Sequence, residues 1–225
     1  MAERQDSVGL RILLRMQQRG ARARVWSPRE FIDLGTRTAV DVALHRLKKK
    51  GLIRRIAVGE DGKHGLYGLP RIERDLLLPP DPAAVLAALA RRDGIKFLVD
   101  EHSAAQQLGL ARGATKILFL TNGRLRPIAL GNRTLEFRTV SSNQLVWAGR
   151  PAADVVQAMR YLRSKLATDS GDAVMRKLRE ILSDKSGGVI RKDLEKGLGE
   201  LPIWMVPYVK QLLRRPSRAR ASAAA

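Results

Sequence analysis

The stretch LGTRTAVDVALHRLKKKGLIRRI (residues 34–56) combines a helical apolar pattern with a run of positive charge. Its apolar side chains recur every three or four residues, as on one face of an amphipathic helix: Val40, Ala43, Leu44 and Leu47. Thr36 or Thr38 supplies an N-terminal cap, and Gly51 ends the helix after three lysines, whose charge suits a helix C-terminus. The stretch therefore predicts a helix followed by the strand LIRRIAV.

The segments on either side of this helix predict further short elements. Residues 7–19 have an amphipathic pattern, and Val25 and Trp26 form a short extended piece. In SPREFIDLG, Ser27 with Pro28 and Glu30 predicts a capped short helix from about residue 28 to residue 34. Downstream, the turn-rich GEDGKHG separates LIRRIAV from the short returning strand LYGLP. The predicted elements follow the order helix, short strand, helix, helix, strand, loop and strand. This is the order of a winged helix-turn-helix.

The polar face of the predicted third helix is the candidate DNA-reading surface. Its members are opposite the apolar face: Arg37, Thr38, Asp41, His45 and Lys48. A recognition helix meets base edges near its N-terminal end, so Arg37, Thr38 and Asp41 are expected at bases, and Lys48 and Lys49 at phosphates. Asp41 does not fit this positively charged face. Its carboxylate either accepts a hydrogen bond from a cytosine amine or is a surface charge that DNA repels.

The predicted hairpin adds four further candidates. Arg54 and Arg55 are adjacent on a strand, so one of them points away from the core, while Lys63 and His64 lie on the loop. All four are candidate phosphate contacts, which increase the salt dependence of binding. Acidic residues in the same loop oppose this interpretation, and a winged helix used for protein contacts stays an alternative.

Composition favours a nucleic-acid partner. The 225 residues include 42 Lys and Arg against 22 Asp and Glu, a net charge of +20, and the excess is spread along the chain. The chain has no cysteine, which excludes disulfides and thiolate metal sites. No apolar run is long enough to span a membrane, and arginines interrupt the N-terminal segment where a signal peptide needs an apolar region, so we expect a cytoplasmic protein.

The remainder of the chain predicts an α+β fold. A double proline at 79 and 80 marks a connector, after which TKILFLT, RPIAL and RTLEFRTV, separated by NGR and GN turns, predict a small antiparallel meander accompanied by helices. The expected domains are a winged helix-turn-helix at 1–72, an α+β domain at 80–166, a helical extension at 167–214 and a disordered basic tail at 215–225.

Catalytic patterns are weak. His45, His64 and His102 are scattered, and the run DEH at 100–102 is better explained by Asp100 or Ser103 capping a helix. We predict no metal, cofactor or catalytic residue. The alternative is a metal-dependent nuclease or nucleotide-processing enzyme that uses Asp100, Glu136 and Lys116 and is delivered to its substrate by the winged helix. Trp147 is expected as a core anchor, and Arg150 as a weak anion-binding candidate.

The ordered motifs resemble the antitoxins of the AbiEi type from abortive-infection toxin-antitoxin systems. The resemblance covers residues 7–165 and rests on the segment SPREFIDLGTRTAVDVALHRLKKKGLIRRIAVG, on EHSAAQQLGL, KILFLTNG and IALGNRTLEFR, and on LVWAGRPAADVVQAMRYL. It implies a repressor that binds inverted repeats of double-stranded DNA at its own promoter and neutralises a nucleotidyltransferase-like toxin, without catalysis. The extension after residue 166 departs from these motifs. A scaffold recruiting a partner through the meander is a further alternative, and the sequence leaves monomer and homodimer open.

Overall fold

The computed structural model describes residues 3–18, 23–56, 65–113, 115–185 and 187–214, with side chains described from residue 8 onward. Two compact units each combine two chain segments: Met1–Phe97 with Thr115–Thr139, and Leu98–Ala114 with Val140–Ala225. The four domain ranges expected from the sequence stay predictions, because compactness alone does not establish which segments fold independently. The predicted tail at 215–225 lies outside the described residues.

The first unit begins with three helices that share one apolar core. They are α1 (Glu3–Gln17), a 3-10 helix (Pro28–Leu34) and α2 (Arg37–Lys49). The core includes Ile12 and Met16 of α1, Phe31 of the 3-10 helix and Leu44 of α2, each fully buried. The short helix predicted from about residue 28 to residue 34 and the capped helix predicted to end at Gly51 are confirmed, with Thr36 as the cap of α2.

Two short antiparallel pairs follow α2. In the first, β1 (Arg54–Arg55) pairs with β2 (Tyr67–Gly68), and Trp26 bridges to Tyr67. The loop predicted between these strands lies largely outside the described residues. The second pair, β3 (Ile72–Glu73) with β4 (Leu76–Leu77), lies just before the double proline, in a segment where the sequence predicted no strand. Asp81 then caps α3 (Pro82–Asp93) by accepting from the Ala83 N–H at 3.1 Å.

The central sheet corrects the predicted meander. Strands β5 (Phe97–Val99), β6 (Lys116–Thr121), β7 (Ile128–Leu130) and β8 (Arg133–Thr139) are arranged in the order β5-β6-β8-β7. β6 pairs with β8 in parallel, and only β7 and β8 form the predicted hairpin, around Gly131 with φ +63°.

Gly123 explains why NGR is not a hairpin turn. Its φ is not in the left-handed range that a tight hairpin turn requires. A Cβ at this position would lie 2.6 Å from Ile95 Cδ1, so Gly123 allows Ile95 to pack closely against the backbone. Thr121 Oγ1 accepts the Gly123 N–H, and Thr139 Oγ1 donates to the Gly123 carbonyl, both at 3.1 Å. These bonds hold the segment at the end of the β6–β8 pair, and β7 pairs with the other edge of β8.

The second unit is predominantly helical. α4 (Glu101–Gln107) and α5 (Ala153–Tyr161) are followed by α6 (Arg163–Leu166), α7 (Gly171–Ser183), α8 (Gly187–Lys196) and α9 (Val206–Leu213), with 3-10 turns at Ser142–Leu145, Leu198–Glu200 and Ile203–Met205. Fully buried leucines and methionines line its core, among them Met159, Leu178 and Leu194. The helical character predicted for residues 167–214 corresponds to α7, α8 and α9.

An arginine clasp joins the segment before α5 to α8. The guanidinium of Arg150 lies 3.8 Å from the centre of the buried Trp147 ring and 2.9 Å from the Asp193 carboxylate, and it also contacts Glu200. Asp193 accepts the Ala152 N–H at 3.0 Å as well. Trp147 is the predicted core anchor, whereas Arg150 is engaged within the protein.

The fold is thus mixed α+β, with N-terminal helices, small sheets and C-terminal helices. None of the helices in the described part of the chain is both long and apolar enough to cross a membrane.

Candidate nucleic-acid interface

The α2 helix has one buried and one exposed face. Its buried residues are Val40, Ala43, Leu44 and Leu47, the four positions expected from the periodicity. The exposed side chains include every candidate that the sequence assigned to this helix: Arg37, Thr38, Asp41, His45, Lys48 and Lys49. Arg46 and Lys50 are also exposed, so positive charge is concentrated at the C-terminal end.

An ion pair organises the N-terminal end of the exposed face. Arg37 Nε donates to Asp41 Oδ2 at 2.8 Å, one helical turn away, and both side chains are about half exposed. This contact accounts for the discordant Asp41, because the carboxylate partly neutralises and orients the neighbouring guanidinium. Within the described part of the chain, the two terminal nitrogens of Arg37 make no hydrogen bond, and they can form the forked contact that guanine accepts.

Arginines of α1 fix the 3-10 helix that leads into α2. Arg15 makes a two-bonded pair with Asp33 at 2.8 and 2.6 Å and donates to the Glu30 carbonyl at 2.9 Å. Arg11 donates to the Leu34 carbonyl at 2.7 Å. The Arg15 guanidinium lowers the pKa of the Asp33 carboxyl. These bonds satisfy the carbonyls of Glu30 and Leu34 in the 3-10 helix directly before α2.

Glu30 is the acidic residue shared by a cluster of ion pairs in the 3-10 helix before α2. Its carboxylate accepts the Ser27 N–H at 2.8 Å, contacts Arg24 and lies 3.2 Å from Arg91 Nε. Burial alone raises the pKa of Glu30, but the Ser27 bond and the two guanidinium groups outweigh it and lower the pKa. Arg91 also donates to the Val25 carbonyl at 2.7 Å, so α3 is tied to the segment before the 3-10 helix.

A depression of about 150 Å³ lies beside the N-terminus of α2. Arg29, Arg37 and Arg92 contribute to its lining, together with Pro28, Gly65 and Asp93. Arg29 is exposed and donates to the Arg92 carbonyl at 3.2 Å, whereas Arg92 pairs with Asp93. Sequence reasoning missed Arg29 and Arg92. Arg29 lies within the SPRE cap beside α2, which was a usable signal, but the position of Arg92 depends on tertiary packing.

Three backbone bonds close the lysine-rich end of α2. Lys50 N–H donates to Arg46 O, Gly51 N–H to Lys48 O and Leu52 N–H to Leu47 O, at 2.9 to 3.0 Å. Gly51 has φ +71°, which confirms the predicted glycine stop. The exposed lysine side chains consequently surround a well-capped terminus.

The hairpin candidates separate into two groups. Arg54 and Arg55 are both half buried; Arg54 donates to the Leu78 carbonyl, and burial together with Arg71 lowers the Arg54 pKa. Arg54 is therefore directed toward the protein. Lys63 and His64 lie outside the described residues.

The residues of the predicted nuclease alternative have local partners. Asp100 is the N-cap of α4 and accepts from Ser103 N–H at 3.1 Å and His102 N–H at 3.3 Å. Glu136 pairs with Lys116 at 2.7 Å on adjacent strands. In the described part of the chain, no three histidine or acidic residues form a group suited to hold a metal ion.

A family model matches residues 11–187, which include the 3-10 helix, α2, the central sheet and α5. The chain belongs to the DUF6088 family. That family is described as one of unknown function, so membership assigns no activity. One similar solved structure is the Rv2827c protein from Mycobacterium tuberculosis, with 17% sequence identity, a TM-score of 0.40 and coverage of 92% of this chain and 76% of that chain. No curated protein is significantly similar to the chain.

Proposed function

We propose that this DUF6088 protein is a sequence-specific DNA-binding regulator in which residues 1–72 are a winged helix-turn-helix. The observation that carries the proposal is the division of α2 into a fully packed face and an exposed face. That exposed face has Arg37 and Thr38 at its N-terminal end and lysines at its C-terminal end, the arrangement of a helix that meets bases first and phosphates later.

The charge of the chain supports a polyanionic partner. A net charge of +20 attracts DNA from a distance, and the exposed lysines of α2 give that attraction a defined surface. Arg55 and the loop residues Lys63 and His64 are retained as candidate phosphate contacts. We leave Arg54 out of the proposed contacts because it is engaged with the Leu78 carbonyl.

The biological role we propose is that of an antitoxin. The resemblance of the motifs to AbiEi-type antitoxins supports a repressor of its own operon that binds inverted repeats and counteracts a nucleotidyltransferase-like toxin. On this proposal the protein acts by binding and has no catalytic residues of its own.

DNA binding is tested by titrating the DNA upstream of the gene and a scrambled duplex with the wild type and two variants. Arg37→Ala is expected to cost about 1 to 3 kcal/mol of binding free energy on the upstream DNA. It should also reduce the preference of the protein for this DNA over the scrambled duplex. Lys48→Ala is expected to weaken binding to both duplexes equally. It should also reduce the slope of log affinity against log salt concentration by about 1. Lys177→Ala, an exposed lysine on α7, is the control. Wild-type affinity in both α2 variants contradicts the proposal.

The antitoxin role and the nuclease alternative require separate measurements. Co-expression of this protein with the product of an adjacent nucleotidyltransferase gene should restore growth that the toxin alone arrests. If growth stays arrested, the antitoxin role is contradicted. Incubation of labelled DNA and RNA with pure protein and magnesium should leave both intact. Turnover that Asp100→Ala or Glu136→Ala abolishes would favour the nuclease instead.

A further inference from the structure

The β3–β4 hairpin is a two-stranded sheet with exposed apolar side chains. Ile72 pairs across the hairpin with Leu77, so both project from the same face, and Leu76 projects from the other face. Ile72 is 65%, Leu77 60% and Leu76 69% exposed. A two-stranded hairpin is only marginally stable in water unless further strands or packing cover it. The exposed fractions therefore indicate a surface that requires a partner.

The outer edge of β3 has backbone groups ready to pair. Leu78 N–H donates to the Arg71 carbonyl at 2.8 Å, which makes Arg71 and Leu78 a hydrogen-bonded pair. Because such pairs alternate along an antiparallel ladder, the N–H and C=O of Ile72 point away from β4. Among the described residues, β3 has no strand partner other than β4. Ile72 consequently offers one donor and one acceptor at the open edge.

The charges of the hairpin favour a second copy of this chain as the partner. Residues 71–77 contain two arginines and two acids, and thus have no net charge in a chain of net charge +20. Two such chains repel each other over most of their surface, and a neutral apolar segment is where they can approach. Lack of net charge also makes the hairpin unsuited to a nucleic acid.

We propose that β3 pairs antiparallel with β3 of a second copy, about a two-fold axis at Ile72. Each Ile72 then exchanges its N–H and C=O bonds with Ile72 of the second copy. In this register Arg71 lies opposite Glu73 of the second copy, and the same pair recurs by symmetry. Within one chain these two side chains approach only to 3.9 Å, on exposed positions, so both remain available.

The pairing gives a four-stranded sheet with the order β4-β3-β3-β4. Ile72 and Leu77 of both copies then form one continuous apolar strip on a single face, which neither hairpin provides alone. The bond from Arg54 to the Leu78 carbonyl anchors each hairpin to β1 of its own first unit. The inference rests on the hairpin alone and holds whether or not α2 binds DNA.

Disulfide trapping tests the register directly, because the chain has no cysteine of its own. Across a hydrogen-bonded antiparallel pair the Cα atoms are about 5.5 Å apart, within disulfide range, so Ile72→Cys should oxidise to a covalent dimer. Leu77→Cys has a similar exposure on the same face but lies on the outer strand, roughly 14 Å from its equivalent. Equal trapping at both positions, or none at Ile72, would overturn the proposal.

Charge exchange tests the same contact without a covalent bond. Sedimentation should show a concentration-dependent dimer for the wild type, weakened about tenfold by Arg71→Glu or by Glu73→Arg, which place like charges opposite each other. The double variant, Arg71→Glu with Glu73→Arg, should restore the dimer. Lys177→Glu with Glu180→Lys, a reversal of an exposed pair on α7, is the control for folding and net charge. A wild type that stays monomeric at all concentrations, or a double variant that is not restored, would refute the pairing.

Discussion

At the scale of single residues, the pair of Arg37 and Asp41 offers a test of the proposed DNA binding. The carboxylate keeps the guanidinium partly engaged, and it is itself repelled by phosphates. We expect Asp41→Asn to raise affinity for scrambled DNA by about fivefold while raising affinity for the upstream sequence less, because an exposed pair of this kind is worth up to about 1 kcal/mol. Titration of both duplexes at one salt concentration measures the ratio, and Glu180→Gln controls for the loss of one negative charge. An unchanged ratio would contradict this role.

Glu30 gives the first unit an acid-sensitive residue. Its folded pKa is below the ordinary 4.5, so its contribution to stability is present above that value and is lost as the pH falls through the folded pKa. Glu30→Gln should therefore have a lower free energy of unfolding than the wild type at neutral pH. The difference in unfolding free energy between the two proteins should become smaller in acid. Urea unfolding at pH 7 and at pH 3 measures it, with Glu180→Gln as the control. A difference that stays constant between the two pH values would disprove the assignment.

At the scale of elements, the turn between β3 and β4 is strained. Arg74 and Asp75 have φ of +48° and +63°, the two left-handed positions of a tight hairpin turn that asparagine and glycine normally occupy. The double variant Arg74→Asn with Asp75→Gly should raise the free energy of unfolding by about 0.5 to 1 kcal/mol, because both new residues adopt this conformation more readily. The variant Arg74→Ala with Asp75→Ala removes the same charges without relieving the strain, and it should not be stabilised. Thermal or urea unfolding compares the two variants, and equal stability would argue against strain at this turn.

The same turn shows what sequence patterns can and cannot predict. The helix periodicity, the SPRE cap and the glycine stop are local, and they predicted the 3-10 helix, α2 and the buried face of α2. The hairpin at β3 and β4 was missed because its turn lacks the usual asparagine and glycine. NGR was misinterpreted because Gly123 packs against Ile95, which is distant along the chain. Likewise, Arg92 lies beside α2 only because of tertiary packing, whereas Arg29 within the SPRE cap could have been found from the sequence.

At the scale of the whole molecule, the Arg150 clasp lies within the second unit, whereas α2, the proposed DNA-binding helix, lies within the first. Asp193→Asn keeps the shape of the side chain but removes the charge that holds Arg150 over Trp147. We expect the second unit to lose about 1 to 2 kcal/mol of unfolding free energy, as for a partly buried charged hydrogen bond. DNA affinity at a temperature where the variant is folded should be unchanged. Urea unfolding and DNA titration test the two expectations, and a parallel loss of affinity would contradict the separation.

The clasp also limits when a contact of the second unit can form during synthesis. Asp193 follows Arg150 by 43 residues, and at about 5 to 20 residues per second a ribosome takes roughly 2 to 9 seconds to make that interval. Throughout it, the nascent α5 segment has its arginine and tryptophan but not the carboxylate that joins them, so the clasp cannot form until α8 has emerged. A nascent chain stalled within this window should be more open to proteases and chaperones around Trp147 than one released after Glu200.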